Sequence, residues 1–152
     1  MILMAVDPAI TAGAIVIYDD DKIKLLLAIS FKHKGKQTQE KRLSFLYDLA
    51  NENCNDVDHI IAEKQFVDIM SQSYGAVAAA AGKNNLTITK FAPKQWMKIL
   101  TGSGKCTKQD TENYIKENYN YLYEQIPELE RNEHVFDACG MLLAYIKQQG
   151  LE

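Results

Sequence analysis

The first third of the chain consists of short apolar runs separated by tight polar turns. The first run, Ile2 to Val6, ends at Asp7-Pro8, where proline interrupts strand pairing. A second run from Gly13 to Tyr18 is separated by three consecutive aspartates from a third run, Ile23 to Ser30. Because so short a turn joins these runs, we expect three strands in an antiparallel meander.

After Thr38 the apolar pattern changes to helices that alternate with further strands. Leu43, Leu46 and Ala50 recur at three- and four-residue steps, as in an amphipathic helix. Next come a strand at 57–63, an alanine-rich helix at 69–83 and a strand at 86–92. A short helix that begins with proline is predicted at 93–100, and two more helices at 107–119 and 132–149. Residues 120–133 are predicted to be irregular. This order predicts an α/β fold, a mixed five-stranded sheet with helices on both faces.

The composition is that of a globular protein. Of 152 residues, 47% are hydrophobic and 24% are charged, and no linker or repeat divides them, so we expect one domain over 1–152. The apolar runs are far shorter than the roughly 20 residues of a membrane helix, and the first residues lack the basic segment of a signal peptide. Three widely spaced cysteines are typical of free thiols in a reducing compartment. We therefore expect a cytoplasmic protein with no membrane partner.

Charge is distributed unevenly along the chain. The net charge is -3, yet residues 32–42 have a balance of +4 and residues 83–116 a balance of +5. Exposed charges are screened beyond about 8 Å at physiological salt, so an acidic protein can still present a local surface to a polyanion. The alternative is that these lysines form ordinary solvated faces. The pattern permits nucleic-acid binding without requiring it.

Four chemically versatile residues lie where predicted strands end or where the last helix begins. Asp7 and Glu63 end the first and fourth strands, and His134 and Asp137 are spaced to project from one side of the helix. Singly, each has an ordinary reading as a turn former, a solvated strand end or an acid near a helix N-terminus. Together, three carboxylates supply the oxygen ligands that Mg²⁺ or Mn²⁺ prefers, and buried carboxylates are costly without a cation. They predict a metal site.

Four fragments, in this order and spacing, resemble the RuvC family of Holliday-junction resolvases, which has the RNase H-like fold. The fragments are Asp7-Pro8 with Gly13 and the strand after it, Glu63-Lys64-Gln65-Phe66, Ala92-Pro93 with Lys98 and Thr101-Gly102-Ser103-Gly104-Lys105 followed by Lys108, and His134-Val135-Phe136-Asp137-Ala138. The family's glycine after the opening Asp-Pro is replaced here by Ala9. The compact chain looks more like a phage-type member than a typical bacterial one.

The resemblance implies metal-dependent cleavage of phosphodiester bonds by a single RNase H-like nuclease domain. Asp7, Glu63, His134 and Asp137 are then the expected catalytic and metal-ligating residues. They would hold two Mg²⁺ ions, with Mn²⁺ able to substitute, and Asp7 would bridge the ions. Mg²⁺ prefers oxygen ligands, so His134 has the alternative role of acting on the phosphate or the attacking water.

The resemblance also implies the partners. Phe66 is expected to stack on an unpaired base at the junction, and Lys98, Lys105 and Lys108 are expected to contact phosphates. Branched DNA would be cut by a homodimer in paired symmetric nicks that leave 5′-phosphates. A branch-migration motor is a further partner that the sequence leaves open. The expected location is the cytoplasm of a bacterium or of a phage-infected cell.

Two other functions stay open at this stage. One is a monomeric RNase H-like nuclease that acts on RNA or RNA–DNA hybrids. The other is a binding protein that keeps the fold without catalysis. A protein that only binds nucleic acid gains nothing from acids that face phosphate, so the acidic set argues against the second. Phe66 and the Gly-Ser-Gly-Lys segment favour the resolvase over the first.

Overall fold

A five-stranded sheet forms the centre of the computed structural model, which describes residues 1–64 and 67–151. Its strands are β1 (Ile2–Asp7), β2 (Ala12–Asp19), β3 (Lys24–Lys32), β4 (His59–Glu63) and β5 (Thr87–Phe91). The order across the sheet is β3-β2-β1-β4-β5; the first three strands pair antiparallel, and β4 pairs parallel with both β1 and β5. The predicted mixed sheet with an antiparallel first half is confirmed.

Helices cover both faces of this sheet. They are α1 (Gln39–Glu52), α2 (Asp68–Lys83), α3 (Pro93–Thr101), α4 (Lys108–Asn118), α5 (Asn120–Tyr123) and α6 (Glu133–Gln149), with a 3₁₀ turn at Glu128–Glu130. The prediction of an irregular segment at 120–133 was wrong, because α5 and the 3₁₀ turn lie within it. Leu122 and Ile126 of this segment are buried in the core, and a single helical turn is too short to give a recognisable apolar period.

Alternate side chains of the strands enter two separate cores. Leu3 and Ala5 of β1 belong to the core under α3, α4 and α6, whereas Met4 and Val6 belong to the core under α1 and α2. Neighbouring residues of a strand point to opposite faces, so this division follows directly from the pleat. Asp7 continues the series of Leu3 and Ala5, and its side chain is therefore on the α6 side of the sheet.

The sheet register places the ends of β1 and β4 together. Val6 of β1 pairs with Ala62 of β4, and Asp7 and Glu63 each come one residue later. Adjacent strands lie about 4.8 Å apart, and equivalent residues of parallel neighbours point to the same face. The two acids that end these strands are thus brought to the same edge of the sheet and to the same side, beneath α6.

Candidate active site

A short hydrogen bond in the candidate site joins the first strand to the last helix. His134 Nδ1 lies 2.8 Å from Asp7 Oδ2, and the Asp7 residue is only 8% exposed. Since the carboxylate can only accept, Nδ1 carries the proton. This hydrogen bond is the main cause that raises the pKa of His134, against burial, which lowers it. The imidazole is therefore fixed in one orientation and holds its proton more strongly than usual.

The fold disfavours the charged form of the Asp137 carboxylate. Burial, followed by the negative charges of Asp7 and Glu63, raises its pKa to about 7. Its Oδ1 atom is buried and has no hydrogen-bond partner among the described residues. A buried oxygen of this kind is costly unless a donor or a cation satisfies it. Asp137 thus lies close enough to Asp7 and Glu63 for the charges of both to act on it.

The Glu63 carboxylate is oriented by a tryptophan from the same side of the sheet. The indole N–H of Trp96, in α3, donates to Glu63 Oε2 at 3.0 Å, and the Trp96 ring is completely buried. Gly140 of α6 makes room for that ring, because a Cβ atom there would stand 2.5 Å from Trp96 Cζ3. The packing of α3 on α6 therefore places the indole N–H that donates to Glu63.

The N-terminus of α6 is anchored to the sheet, which fixes His134 and Asp137 over the strand ends. Asn132 caps the helix, and its Oδ1 accepts hydrogen bonds from the backbone N–H groups of His134 and Val135 at 3.1 and 3.2 Å. The same side chain donates from Nδ2 to Ser30 Oγ in β3 at 3.0 Å. Ser30 in turn donates to Glu130 through both its backbone N–H and its hydroxyl, each at 2.7 Å.

One lysine lies inside the electrostatic field of the acids. Lys108 Nζ forms a 2.7 Å ion pair with Glu133 Oε2, and this hydrogen bond raises the pKa of Lys108, with Asp137 and Asp7 adding to the effect. The same pair lowers the pKa of Glu133. Lys108 was predicted as a phosphate contact; its position beside the carboxylates also lets it offset their mutual repulsion.

The other predicted DNA contacts are less closely tied to the acids. Lys98 is exposed on α3, and Lys105 is exposed in the loop between α3 and α4, where its backbone N–H donates to Ser103 Oγ. Phe66 lies outside the described residues. The roles of these three residues stay predictions.

The donor set suits a hard divalent cation, although no closed ligand shell is formed in the described residues. Within them, no three His, Cys, Asp or Glu side chains stand in ligating arrangement, and one oxygen of Asp7 is bonded to His134. Three neighbouring carboxylates, one with an unsatisfied buried oxygen and a raised pKa, are nevertheless what an oxygen-preferring cation would stabilise. Asp7, Glu63 and Asp137 thus form a candidate metal centre with His134 at its side.

The sequence pattern predicted a shared site for Asp7, Glu63, Asp137 and His134, but it did not indicate the residues that hold these side chains in position. Trp96, Asn132 and Glu133 were not singled out. The N-cap position of Asn132 and the first-turn acid Glu133 are visible in the sequence as a helix start. The contact of Trp96 with Glu63 has no local signal, since it depends on how α3 packs against the sheet.

Comparisons with known proteins agree on one family. No protein-family model matches the sequence. The chain is 26% identical over 156 residues to crossover junction endodeoxyribonuclease RuvC of Alkaliphilus metalliredigens, covering 95% of this chain and 92% of that protein. A RuvC of Rickettsia felis is 26% identical over 127 residues, covering 76% of this chain and 81% of the relative.

A solved structure shares the fold. The structure of Thermus thermophilus RuvC in complex with a Holliday junction substrate superposes with a TM-score of 0.78 at 18% identity, covering 99% of this chain and 96% of that chain. The sheet order, the two helical layers and the placement of acids at the ends of β1 and β4 correspond to the resemblance seen in the sequence. The sequence relatives and the shared fold together make this chain similar to RuvC proteins.

Proposed function

We propose that this chain is a metal-dependent endonuclease that resolves four-way DNA junctions by paired, symmetric nicks, with residues 1–152 acting as one nuclease domain. One observation carries the proposal: Asp7 and Glu63 end adjacent parallel strands, and both act electrostatically on the buried Asp137 of α6, in a chain whose relatives are named junction endonucleases. A binding protein would have no use for three acids gathered where a phosphate must approach.

Each residue of the site has a role in this proposal. Asp7, Glu63 and Asp137 would hold two divalent ions, Mg²⁺ with Mn²⁺ able to replace it. The ions, when bound, supply an activated water and stabilise the leaving oxygen. Trp96 keeps the Glu63 carboxylate in position through its 3.0 Å hydrogen bond. His134, fixed by Asp7, places a proton-bearing ring beside the carboxylates, where it can contact the phosphate or the water.

The substrate would be held on the helical side of the site by lysines of α3, α4 and the loop between them. Lys98 and Lys105 are exposed and would bind phosphates. Lys108 lies between these residues and the acids, paired with Glu133. Phosphate contacts position DNA without reading sequence, which suits an enzyme that recognises branched shape.

Paired nicking implies two copies of the site, and we propose a homodimer through α2. The inner face of this helix is buried within the chain at Val77, Ala80 and Ala81, while Gly75 and Ala79 are exposed on the outer face. A Cβ atom at Gly75 would meet nothing within 4 Å, so the packing of this chain does not require a glycine there. Glycine costs up to about 1 kcal/mol inside a helix, and close approach of a second helix would account for it.

The dimer is tested by the exposed face of α2. Ala79→Arg should give a folded monomer in sedimentation velocity runs and should uncouple the two nicks of a junction. Ala79→Ser, which adds little bulk, serves as the matched control. A wild-type protein that is monomeric while it makes paired nicks would contradict this part of the proposal.

The activity is tested with a panel of labelled substrates: a mobile four-way junction, a linear duplex and an RNA–DNA hybrid, each with Mg²⁺, Mn²⁺ or chelator. We expect symmetric nicks with 5′-phosphates in the junction, dependent on the metal. Preferential cutting of the hybrid would favour the RNase H-like alternative. Junction binding with no cutting under any metal would identify a binding protein.

A further inference from the structure

A basic and aromatic surface adjoins the candidate site on the opposite face of the sheet from Lys98, Lys105 and Lys108. We name it the β3–α1 patch; its members are Phe31, Lys32, His33, Lys34, Lys36, Lys41, Arg42 and Phe45. Its three rings contact one another edge to face, with centroids 5.0 to 5.9 Å apart. The Phe45 side chain, large and apolar, is left 42% exposed among the cations.

The cations of this patch greatly outnumber the acids near them in sequence. Residues 32–42 contain five lysines and arginines against the single acid Glu40, and within the described part of the chain none of the five forms an ion pair. The four lysines are exposed, and Arg42 Nε is buried without a hydrogen-bond partner in the described residues. So dense a set of uncompensated cations is complementary to a polyanion.

The register of the sheet fixes the patch close to the acids. Asp7 pairs with Ala14 of β2, and Ala14 pairs with Ser30 of β3, so Ser30 lies two strands from Asp7, about 10 Å away, and the patch begins at the next residue, Phe31. Gly13 lies between them, since a Cβ atom there would stand 2.2 Å from the Asp7 carbonyl oxygen and 2.7 Å from Phe31 Cζ. The backbone N–H of His33 donates to the Thr11 carbonyl at 3.0 Å, which holds the start of the loop against the sheet.

We propose that the β3–α1 patch binds the phosphates of one duplex arm of the branched DNA, within about one helical turn (roughly 34 Å) of the phosphate that is cut. With Lys98 and Lys105 on the other face, the acidic site is then flanked by cations on both sides. The edge-to-face rings hold the loop after β3 against the sheet, so the positions of Lys34 and Lys36 relative to the DNA arm are restricted. This inference rests on the proposed function, because the arm is that of its substrate.

Two double variants test the inference. Lys34→Ala with Lys36→Ala removes two cations of the patch, and Lys24→Ala with Lys83→Ala removes two exposed lysines at the opposite end of the sheet. Binding of a labelled four-way junction is measured by fluorescence anisotropy in chelator across a range of salt concentrations. Each lost phosphate contact lowers the slope of log affinity against log salt by about 1, so the patch variant should lose about 2 and the control variant nothing.

Nicking by the same proteins in Mg²⁺ separates this inference from the function on which it rests. If the wild type nicks the junction and both double variants show the wild-type salt slope, the β3–α1 patch makes no arm contact and the inference is overturned. If the wild type nicks no junction under any metal, the proposed function fails and the inference falls with it. Circular dichroism and thermal melting, expected to match the wild type, show that the four exposed sites leave the fold intact.

Discussion

His134 Nδ1 stands 2.8 Å from Asp7 Oδ2, a hydrogen bond between residues 127 positions apart in the chain. Asp7 ends the first strand and His134 lies in the first turn of the last helix. The site therefore exists only when the sheet and α6 have docked. It also couples the proton of the imidazole to the charge of a carboxylate that we propose as a metal ligand.

The Asp7 carboxylate sets the protonation of His134. Asp7→Asn removes the main cause that raises the pKa of His134, so this pKa should fall towards or below its ordinary value, as followed by NMR titration of the imidazole. Glu133→Gln, which removes a weaker influence, should lower it less. A raised pKa in the folded state stabilises the protein at low pH, and that stability is lost as pH rises through the folded pKa. An unchanged His134 titration in Asp7→Asn would show that the bond is absent in solution.

Asp137 should make the metal-free protein less stable as pH rises. Its folded pKa of about 7 exceeds the ordinary value of 3.8, so the folded state binds more protons than the unfolded state between these values. In chelator, the free energy of unfolding should fall from about pH 4 to pH 7, by up to about 4 kcal/mol from this group. Asp137→Asn should flatten that fall and be more stable than the wild type at pH 7.5, as measured by urea denaturation.

Exposed Asp48 gives the control for this stability measurement. Asp48→Asn should leave the pH profile of the wild type unchanged, and Mg²⁺ should stabilise the wild type near pH 7.5 but not Asp137→Asn. The opposite result is a wild-type free energy of unfolding that rises steadily from pH 4 to pH 7. It would mean that ionising Asp137 does not destabilise the folded protein, and the main electrostatic argument for a cation would be lost.

Trp96 should act on cleavage through Glu63. Trp96→Phe keeps an aromatic ring between α3 and α6 but loses the indole N–H that holds Glu63 Oε2. Residues that orient metal ligands typically contribute 10- to 100-fold, and we expect a loss of about that size in the cleavage rate with junction binding unchanged. Adding Mg²⁺ should restore part of the rate if the loss is one of metal affinity.

Leu100→Ala is the matched control for Trp96→Phe, since Leu100 is equally buried in α3 and its side chain has no N–H that could donate to the Glu63 carboxylate. It should cost about 2–5 kcal/mol of stability with a smaller effect on cleavage by the folded protein. The cleavage rates of the two variants are compared at temperatures where both are folded. Equal losses would show that Trp96 contributes to cleavage only through packing.

Replacing Lys108 should shift the pH profile of cleavage, whereas replacing Lys98 should not. The pKa of Asp137, raised mainly by burial, is partly held down by the charge of Lys108. If the ionised form of Asp137 holds the cation, the cleavage rate rises with pH through the pKa of Asp137. Lys108→Ala should move that rise to higher pH, in addition to weakening DNA binding. Lys98→Ala should weaken binding with the pH profile unchanged. Identical profiles for the two variants would place Lys108 among ordinary phosphate contacts.

The sequence predicted the four central residues because strand ends leave a strong local signal. Apolar runs that stop at Asp7-Pro8 and at Glu63 mark two strand termini, and the three-residue spacing of His134 and Asp137 puts both on one helix side. The parallel pairing of β1 and β4 in the structure then brings the two ends together.

The residues that support this site could not be predicted, because their contacts depend on tertiary packing. Trp96 reaches Glu63 only because Gly140 lets its ring lie against α6. The link from Asn132 to Ser30 joins two segments 102 residues apart. The short helix α5 was missed for a different reason, since its four residues carry less than two turns of periodic signal.

The central claim is that Asp7, Glu63 and Asp137 act as one cation-holding group in the cleavage of branched DNA. The most direct test is the single-turnover nicking rate of a labelled four-way junction with saturating protein and Mg²⁺. The variants are Asp7→Asn, Glu63→Gln and Asp137→Asn, each of which keeps the shape of the side chain and removes its charge. Asp19→Asn, at the far end of β2, is the control.

We expect each of the three amide variants to lose at least about 100-fold in the nicking rate while binding the junction as tightly as the wild type in chelator, because phosphate contacts do not need these carboxylates. Asp19→Asn should nick at the wild-type rate. A near-wild-type nicking rate in any one of the three amide variants would contradict the claim that this residue belongs to the metal centre.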